Sequence, residues 1–79
     1  MARGLHAWTT YAVITFLKKH NFVHHRTNGS HFQYKKIADG VGRLVTVASH
    51  GSKNIPIGTM NSIVRQSGVP KSEWLEEQK

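Results

Sequence analysis

One histidine of this sequence follows a turn signal directly, which makes it the residue best placed for chemistry. His31 comes after Gly29-Ser30, where two alternating runs meet at an Asn28-Gly29 step. Asn-Gly tolerates the positive φ values of tight turns, so the stretch predicts a β-hairpin with His31 at the mouth of its second strand. Imidazole accepts or donates a proton near neutrality. Beside lysine and arginine, such a group suits either cleavage of a phosphodiester or binding of a phosphate.

The whole chain carries an excess of positive charge. Its 79 residues include eleven Lys and Arg against four acids, a net charge of +7. Residues 1–72 hold ten basic side chains and one acid, Asp39, while Glu73, Glu76 and Glu77 lie together near the end. Basic side chains displace counterions from a phosphate backbone, so this balance favours a polyanion as partner.

Several classes of protein are disfavoured by composition. No cysteine is present, so disulfides, thiolate nucleophiles and cysteine-based zinc sites are excluded. A two-metal nuclease or a glycosidase needs clustered carboxylates, which four unevenly placed acids do not supply. No apolar run is long enough to span a bilayer and residues 1–10 lack the apolar core of a signal peptide, so we expect a cytoplasmic protein with no membrane contact.

The pattern of apolar residues predicts one small α+β domain over residues 1–79. Residues 1–8 show no period and are expected to form a flexible arm. A helix over residues 11–20, capped by Thr9 or Thr10 and ended at Asn21, carries an apolar stripe. The hairpin and a strand over residues 43–48 follow, with a turn at Asp39-Gly40 between them. A second helix is expected from an N-cap at Thr59 to Ser67, stopped by Gly68, and then a short helix packed by Trp74.

Strand alternation assigns faces within the hairpin. Phe32 and Tyr34 share one face of the second strand, and His31, Gln33 and Lys35 share the other. If the aromatic side chains face the helices, His31 and Lys35 face solvent or a ligand together.

Six histidines stand in the sequence, and two kinds of site follow from them. A zinc site from His24, His31 and His50 is conceivable, but no helix-based ligand pair or acidic second shell supports it. Metal-free cleavage of RNA fits better, since the ribose 2′-hydroxyl is itself the nucleophile. The protein then supplies a proton acceptor, a proton donor and positive charge. From these residues alone, His31 is a catalytic group or a phosphate contact.

A combination of motifs resembles one known family. The residues are Leu17-Lys-Lys-His-Asn-Phe-Val23, Gly29-Ser30-His31, Asp39-Gly40, Arg43-Leu-Val-Thr-Val47, His50-Gly51, Lys53, Gly58-Thr59, Ser62-Ile63 and Arg65-Gln66-Ser-Gly68. Over residues 16–75 the chain is similar to the HicA toxins, the mRNA interferases of HicA–HicB toxin–antitoxin pairs.

The resemblance implies a double-stranded-RNA-binding-like fold, in which a three-stranded antiparallel sheet packs on two helices, here with a short C-terminal helix. This agrees with the order of elements read from the pattern. The resemblance also implies that His31 is catalytic, that translation is blocked by mRNA cleavage, and that a HicB-type antitoxin covers His31.

Two functions therefore remain from the sequence. The first is a metal-independent endoribonuclease with no cofactor, in which His31 acts as acid or base. Candidates for phosphate contacts are Lys35, Arg43, Lys53, Arg65 and Ser30; candidates for the second proton-transfer group are His50 and Tyr34. The second function is a non-catalytic RNA-binding module that uses the same basic surface, and an acidic protein partner is compatible with either.

Overall fold

The computed structural model describes residues 4–49, 51 and 53–77. Its elements in chain order are α1 Thr10–Lys19, β1 Val23–Asn28, β2 His31–Ala38, β3 Val41–Ala48, α2 Ile57–Ser67 and α3 Lys71–Glu77. The strands form one antiparallel sheet in the order β1-β2-β3. This confirms the predicted α+β arrangement, and the layout is consistent with a double-stranded-RNA-binding-like fold. Among the described helices, none has the length and apolar character needed to cross a bilayer.

Helix α1 has the boundaries that capping chemistry dictates. The Thr9 hydroxyl accepts a hydrogen bond from the Ala12 backbone N–H at 3.1 Å, so Thr9 is the N-cap. Asn21 lies just beyond the helix with a φ of 71°, a left-handed conformation that ends it and that asparagine tolerates. The predicted stripe is confirmed, since Val13, Phe16 and Leu17 are all buried.

Helix α2 begins earlier than predicted. Pro56 occupies the N-cap position and Thr59 lies inside the first turn, so the prediction of Thr59 as N-cap was wrong. Proline has a φ suited to helix entry, and the Met60 N–H donates to the Pro56 carbonyl at 2.9 Å, which starts the helix two residues before Thr59. The predicted stop at Gly68 is confirmed, with a φ of 71°.

The segment before α1 differs from the expected flexible arm. In its described part, residues 4–8, Leu5 is 1% exposed and Trp8 is 3% exposed. The Trp8 ring packs edge-on against Phe16 and Trp74, with centroid distances of 5.6 and 5.1 Å. Trp74 of α3 is fully buried, as predicted for the last helix. An apolar contact between two segments far apart in sequence therefore orders this region.

The sheet has one face on the core and one face away from it. Tyr34, Val45 and Val47 are buried on the first, which we call the helix face. Alternation and strand register place the following side chains on the opposite side, the open face: Val23, Arg26, Asn28, His31, Gln33, Lys35, Ile37, Leu44, Thr46 and Ala48.

Candidate catalytic surface

His31 lies exposed on the open face, at the first position of the central strand β2. Its neighbours across the sheet are Asn28 of β1 and Ala48 of β3. The structure therefore puts the imidazole on the face opposite the apolar core, where a ligand approaching the sheet can reach it.

The turn before His31 consists of Gly29 and Ser30, so it begins one residue later than the Asn28-Gly29 step. Asn28 pairs with His31 as a strand residue, so Gly29 and Ser30 form the two-residue turn. Gly29 has a φ of 62°, and Ser30 is not among the residues with positive φ. A positive φ at the first turn position only is the pattern of a type II′ turn, which requires glycine there. Ser30 is exposed beside His31.

Strand register places an arginine of β1 on the face of His31, between the turn and a bulge. His24 pairs with Tyr34 and Arg26 with Gln33, so His25 is an extra residue between them. Gln33 is two residues from His31, about 7 Å along the strand, which makes Arg26 the nearest open-face cation by register. The sequence prediction missed Arg26. Counting pairs back from a two-residue turn at Gly29-Ser30 would have found it.

Lys35 shares the open face with His31, as the alternation predicted. It lies four residues further along β2, about 13 Å from His31 by the strand rise. Its cross-strand partners are Val23 and Leu44, both exposed apolar residues. Lys35 can therefore contact a phosphate further along a strand that is bound at His31.

Three hydrogen bonds gather further segments at what we call the His31 end of the molecule. Thr10 Oγ1 donates to the Ala48 carbonyl at 3.1 Å. The Ser49 N–H donates to the Ser30 carbonyl, and the Ile55 N–H to the Trp8 carbonyl, both at 2.7 Å. The first turn of α1 and the segment around Lys53 therefore lie near the turn that carries His31.

The electrostatics of the His31 end favour an anion. Helices α1 and α2 both begin there, and the N-terminus of a helix carries a partial positive charge. Lys53 is exposed, and the three strands contain no aspartate or glutamate. The His31 end thus carries positive charge from Lys53 and the two helix N-termini, and no strand carboxylate repels a phosphate there.

Two of the candidate phosphate contacts lie at the other end. Arg43 pairs with Lys36 on the helix face, close to the turn at Asp39, and a Cβ on Gly68 would lie 2.4 Å from its guanidinium. Arg65 stands in the last turn of α2, where its Nη2 donates to Ser62 Oγ at 3.3 Å. Both arginines are therefore separated from His31, and we call their surroundings the Asp39 end.

The structure does not bring Tyr34 to His31. Tyr34 is 5% exposed and lies on the helix face. It is three residues from His31 along β2, so the two side chains are on opposite sides of the sheet. Burial raises the pKa of its phenol above the ordinary value of 10.0, which makes proton release harder. His50 lies outside the described residues and stays a prediction.

The structure separates two of the three histidines of the zinc alternative. Strand register puts His24 on the side of Tyr34 and His31 on the opposite side of the sheet. His24 Nε2 instead lies 2.7 Å from Thr27 Oγ1, and its ring packs edge-on against Tyr34 at 5.6 Å. Within the described ranges, no group of three or more His, Cys, Asp or Glu residues is arranged to hold a metal ion.

Comparison with known proteins identifies one match. Residues 12–69 match the family model described as the HicA toxin of bacterial toxin–antitoxin systems. The match runs from α1 through β3 to the residue after Gly68, so it includes His31 and all three strands. No curated protein and no solved structure matches the chain.

Proposed function

The chain belongs to the HicA toxin family of bacterial toxin–antitoxin systems, and on that premise we propose that it is an mRNA-cleaving endoribonuclease that works without a metal ion through His31. The observation that carries the proposal is the position of this imidazole, exposed at the start of β2 on the open face that also carries Arg26 and Lys35. Family membership implies a HicB antitoxin as partner.

The reaction needs two proton transfers and positive charge. The ribose 2′-oxygen attacks the adjacent phosphorus while the bond from phosphorus to the 5′-oxygen breaks. This leaves a 2′,3′-cyclic phosphate and a 5′-hydroxyl. One group accepts the 2′-hydroxyl proton and another gives a proton to the departing 5′-oxygen. His31 supplies one of these transfers, and His50 is the remaining candidate for the other, since Tyr34 lies on the helix face.

Cations on the open face stabilise the charge that develops on the phosphate. We assign this role first to Arg26, which lies nearest to His31 by register, and to the His31 end with Ser30 and Lys53. Lys35 contacts a more distant phosphate of the same strand. The substrate is mRNA in the cytoplasm, and the antitoxin blocks cleavage by covering His31.

A cleavage assay tests the proposal. Purified protein is incubated with labelled RNA in EDTA, beside variants His31→Ala and His25→Ala. His25 is a matched control because it is an exposed histidine at the β1 bulge, six positions before His31. We expect fragments from the wild type and from His25→Ala, and intact RNA with His31→Ala.

Other outcomes identify other functions. RNA that is shifted in a gel but never cut, at any protein concentration, identifies a non-catalytic RNA-binding module. Cleavage that returns only when a metal ion is restored contradicts a metal-independent mechanism, and cleavage by purified, folded His31→Ala removes His31 from the chemistry.

A further inference from the structure

Two cations face each other directly at the Asp39 end, on the helix face. Lys36 and Arg43 are cross-strand partners of β2 and β3. Like charges in such a position repel each other and destabilise a sheet. Among the described residues, no acidic group forms a salt bridge with either of them. The Lys36 ammonium lies 5.6 Å from the centroid of the Phe22 ring, a contact that leaves its charge uncompensated.

These two side chains line a small cleft of about 100 Å³, which we call the Lys36–Arg43 cleft. Its other wall is the end of α2 at Ser67 and Gly68. The Ser67 hydroxyl is already engaged, since it donates to the Val64 carbonyl at 2.7 Å and accepts from the Val69 N–H at 3.1 Å. The groups left to bind a ligand are therefore the two cations.

Arg43 brings a guanidinium to the cleft, where it lies against Gly68. A Cβ on residue 68 would crowd the guanidinium in this position, so glycine leaves it room to lie there. A planar guanidinium presents a pair of donors that matches a carboxylate or a phosphate.

The location of the cleft argues against the RNA strand that is cut at His31. Lys36 is five residues from His31 along β2, about 16 Å by the strand rise, and its side chain is on the opposite side of the sheet. A strand with its scissile phosphate at His31 would have to pass around an edge of the sheet to reach Arg43.

The border of the cleft favours a protein instead. Val41, which lines the cleft, is 52% exposed, and Ile37 beside it on the open face is 68% exposed. With Leu44, they form an apolar strip that continues from the cleft around the β2–β3 hairpin onto the open face. Exposed apolar side chains next to cations are typical of protein interfaces and contribute little to contacts with a phosphate backbone.

We propose that the Lys36–Arg43 cleft binds a carboxylate side chain of an acidic segment of the HicB-type antitoxin, and that the apolar strip packs against the same segment. The antitoxin then contacts both faces of the β2–β3 hairpin. This is a second contact region, distinct from the one at His31. The inference rests on the antitoxin partnership of the family and does not require His31 to be catalytic.

The test measures binding of the purified antitoxin to four forms of the full chain: wild type, Arg43→Gln, Lys36→Gln and Lys18→Gln. Lys18 is the matched control, an exposed lysine in the last turn of α1. We expect Arg43→Gln and Lys36→Gln each to weaken binding about tenfold, mainly through faster dissociation, and to lower its salt dependence. Lys18→Gln should bind as the wild type does.

Two further measurements make the result decisive. Thermal unfolding shows whether each variant is folded, and Lys36→Gln stands in for Arg43→Gln if loss of the Gly68 contact unfolds the latter. RNA binding and cleavage by Lys36→Gln should stay at the wild-type level. A loss of RNA binding with unchanged antitoxin affinity would make the cleft a nucleic-acid site, and unchanged antitoxin affinity in both variants would also overturn the proposal.

The antitoxin-binding inference and the ribonuclease proposal can fail independently of each other. If the wild type cuts no RNA, the ribonuclease proposal falls, while the antitoxin affinities of the variants still decide this inference.

Discussion

Arg26 lies opposite Gln33 and on the same face as His31 because a two-residue turn joins β1 to β2. The extra residue His25 leaves that pair unchanged, but it shifts the strand beyond it by one position, so that Val23 rather than His24 lies opposite Lys35. The turn thus places a cation close to His31, and the bulge places an apolar residue further along the open face.

Arg26→Gln tests this arrangement. If Arg26 contacts a phosphate of a single-stranded RNA, its loss should weaken RNA binding several-fold and reduce the slope of log affinity against log salt by about 0.7. Lys18→Gln removes the same charge elsewhere on the surface and serves as control. RNA titrations at several salt concentrations measure both slopes, and equal slopes for the two variants would remove Arg26 from the site.

Gly68→Ala should destabilise the fold mainly through the backbone and to a smaller degree through Arg43. The φ of 71° at Gly68 disfavours any side chain, and a Cβ would also displace the exposed Arg43 guanidinium from its present position. We expect a loss of about 1–3 kcal/mol in the free energy of unfolding. Urea unfolding measures it, and Gly42→Ala is the control, since Gly42 has no neighbour within 4 Å of a Cβ and no positive φ.

The double variant Gly68→Ala with Arg43→Ala separates the two effects. Removal of the guanidinium relieves the crowding and leaves the backbone cost. If the double variant loses as much stability as the two single variants together, the contact between Arg43 and Gly68 does not matter in solution.

Tyr34 makes the free energy of unfolding depend on pH in the alkaline range. Because burial raises the pKa of its phenol above 10.0, the unfolded chain releases that proton at a lower pH than the folded chain. The contribution to stability is complete below pH 10.0 and is lost as the pH rises through the folded-state pKa. Tyr34→Phe should reduce this alkaline loss, as measured by denaturant unfolding across the alkaline range. Tyr11→Phe, at an exposed tyrosine, should leave the loss as it is in the wild type.

Trp74 is required for the core although it lies outside the residues that match the family model. Its ring stacks on Phe16 at 3.8 Å between centroids and contacts Trp8 edge-on. Trp74→Ala should cost about 3–5 kcal/mol, which approaches the whole stability of so small a domain.

Trp74→Phe should cost clearly less. It keeps an aromatic ring, and the buried indole N–H of Trp74 has no hydrogen-bond partner among the described residues. Circular dichroism and thermal unfolding measure both variants, with the exposed Ser72→Ala on the same helix as control. A cooperative transition of Trp74→Ala at the wild-type midpoint would show that α3 is not part of the folded core.

Local patterns in the sequence were enough to predict the elements and the order in which they occur. Apolar spacing, Thr9 and Gly68 predicted two of the helices, and alternation in β2 put His31 and Lys35 on the side opposite Tyr34. These are local properties, because helix periodicity, capping and strand alternation depend on neighbours within a few residues.

Which of the cations accompany His31 depends on the pairing of the strands. The register of β2 with β1 and with β3 places Arg26 near His31 and Arg43 on the far side of the sheet. Burial of Trp8 likewise depends on Trp74, almost seventy residues away in sequence. The physical reason is that register and core contacts are set by pairing between distant segments, and no local pattern carries that information.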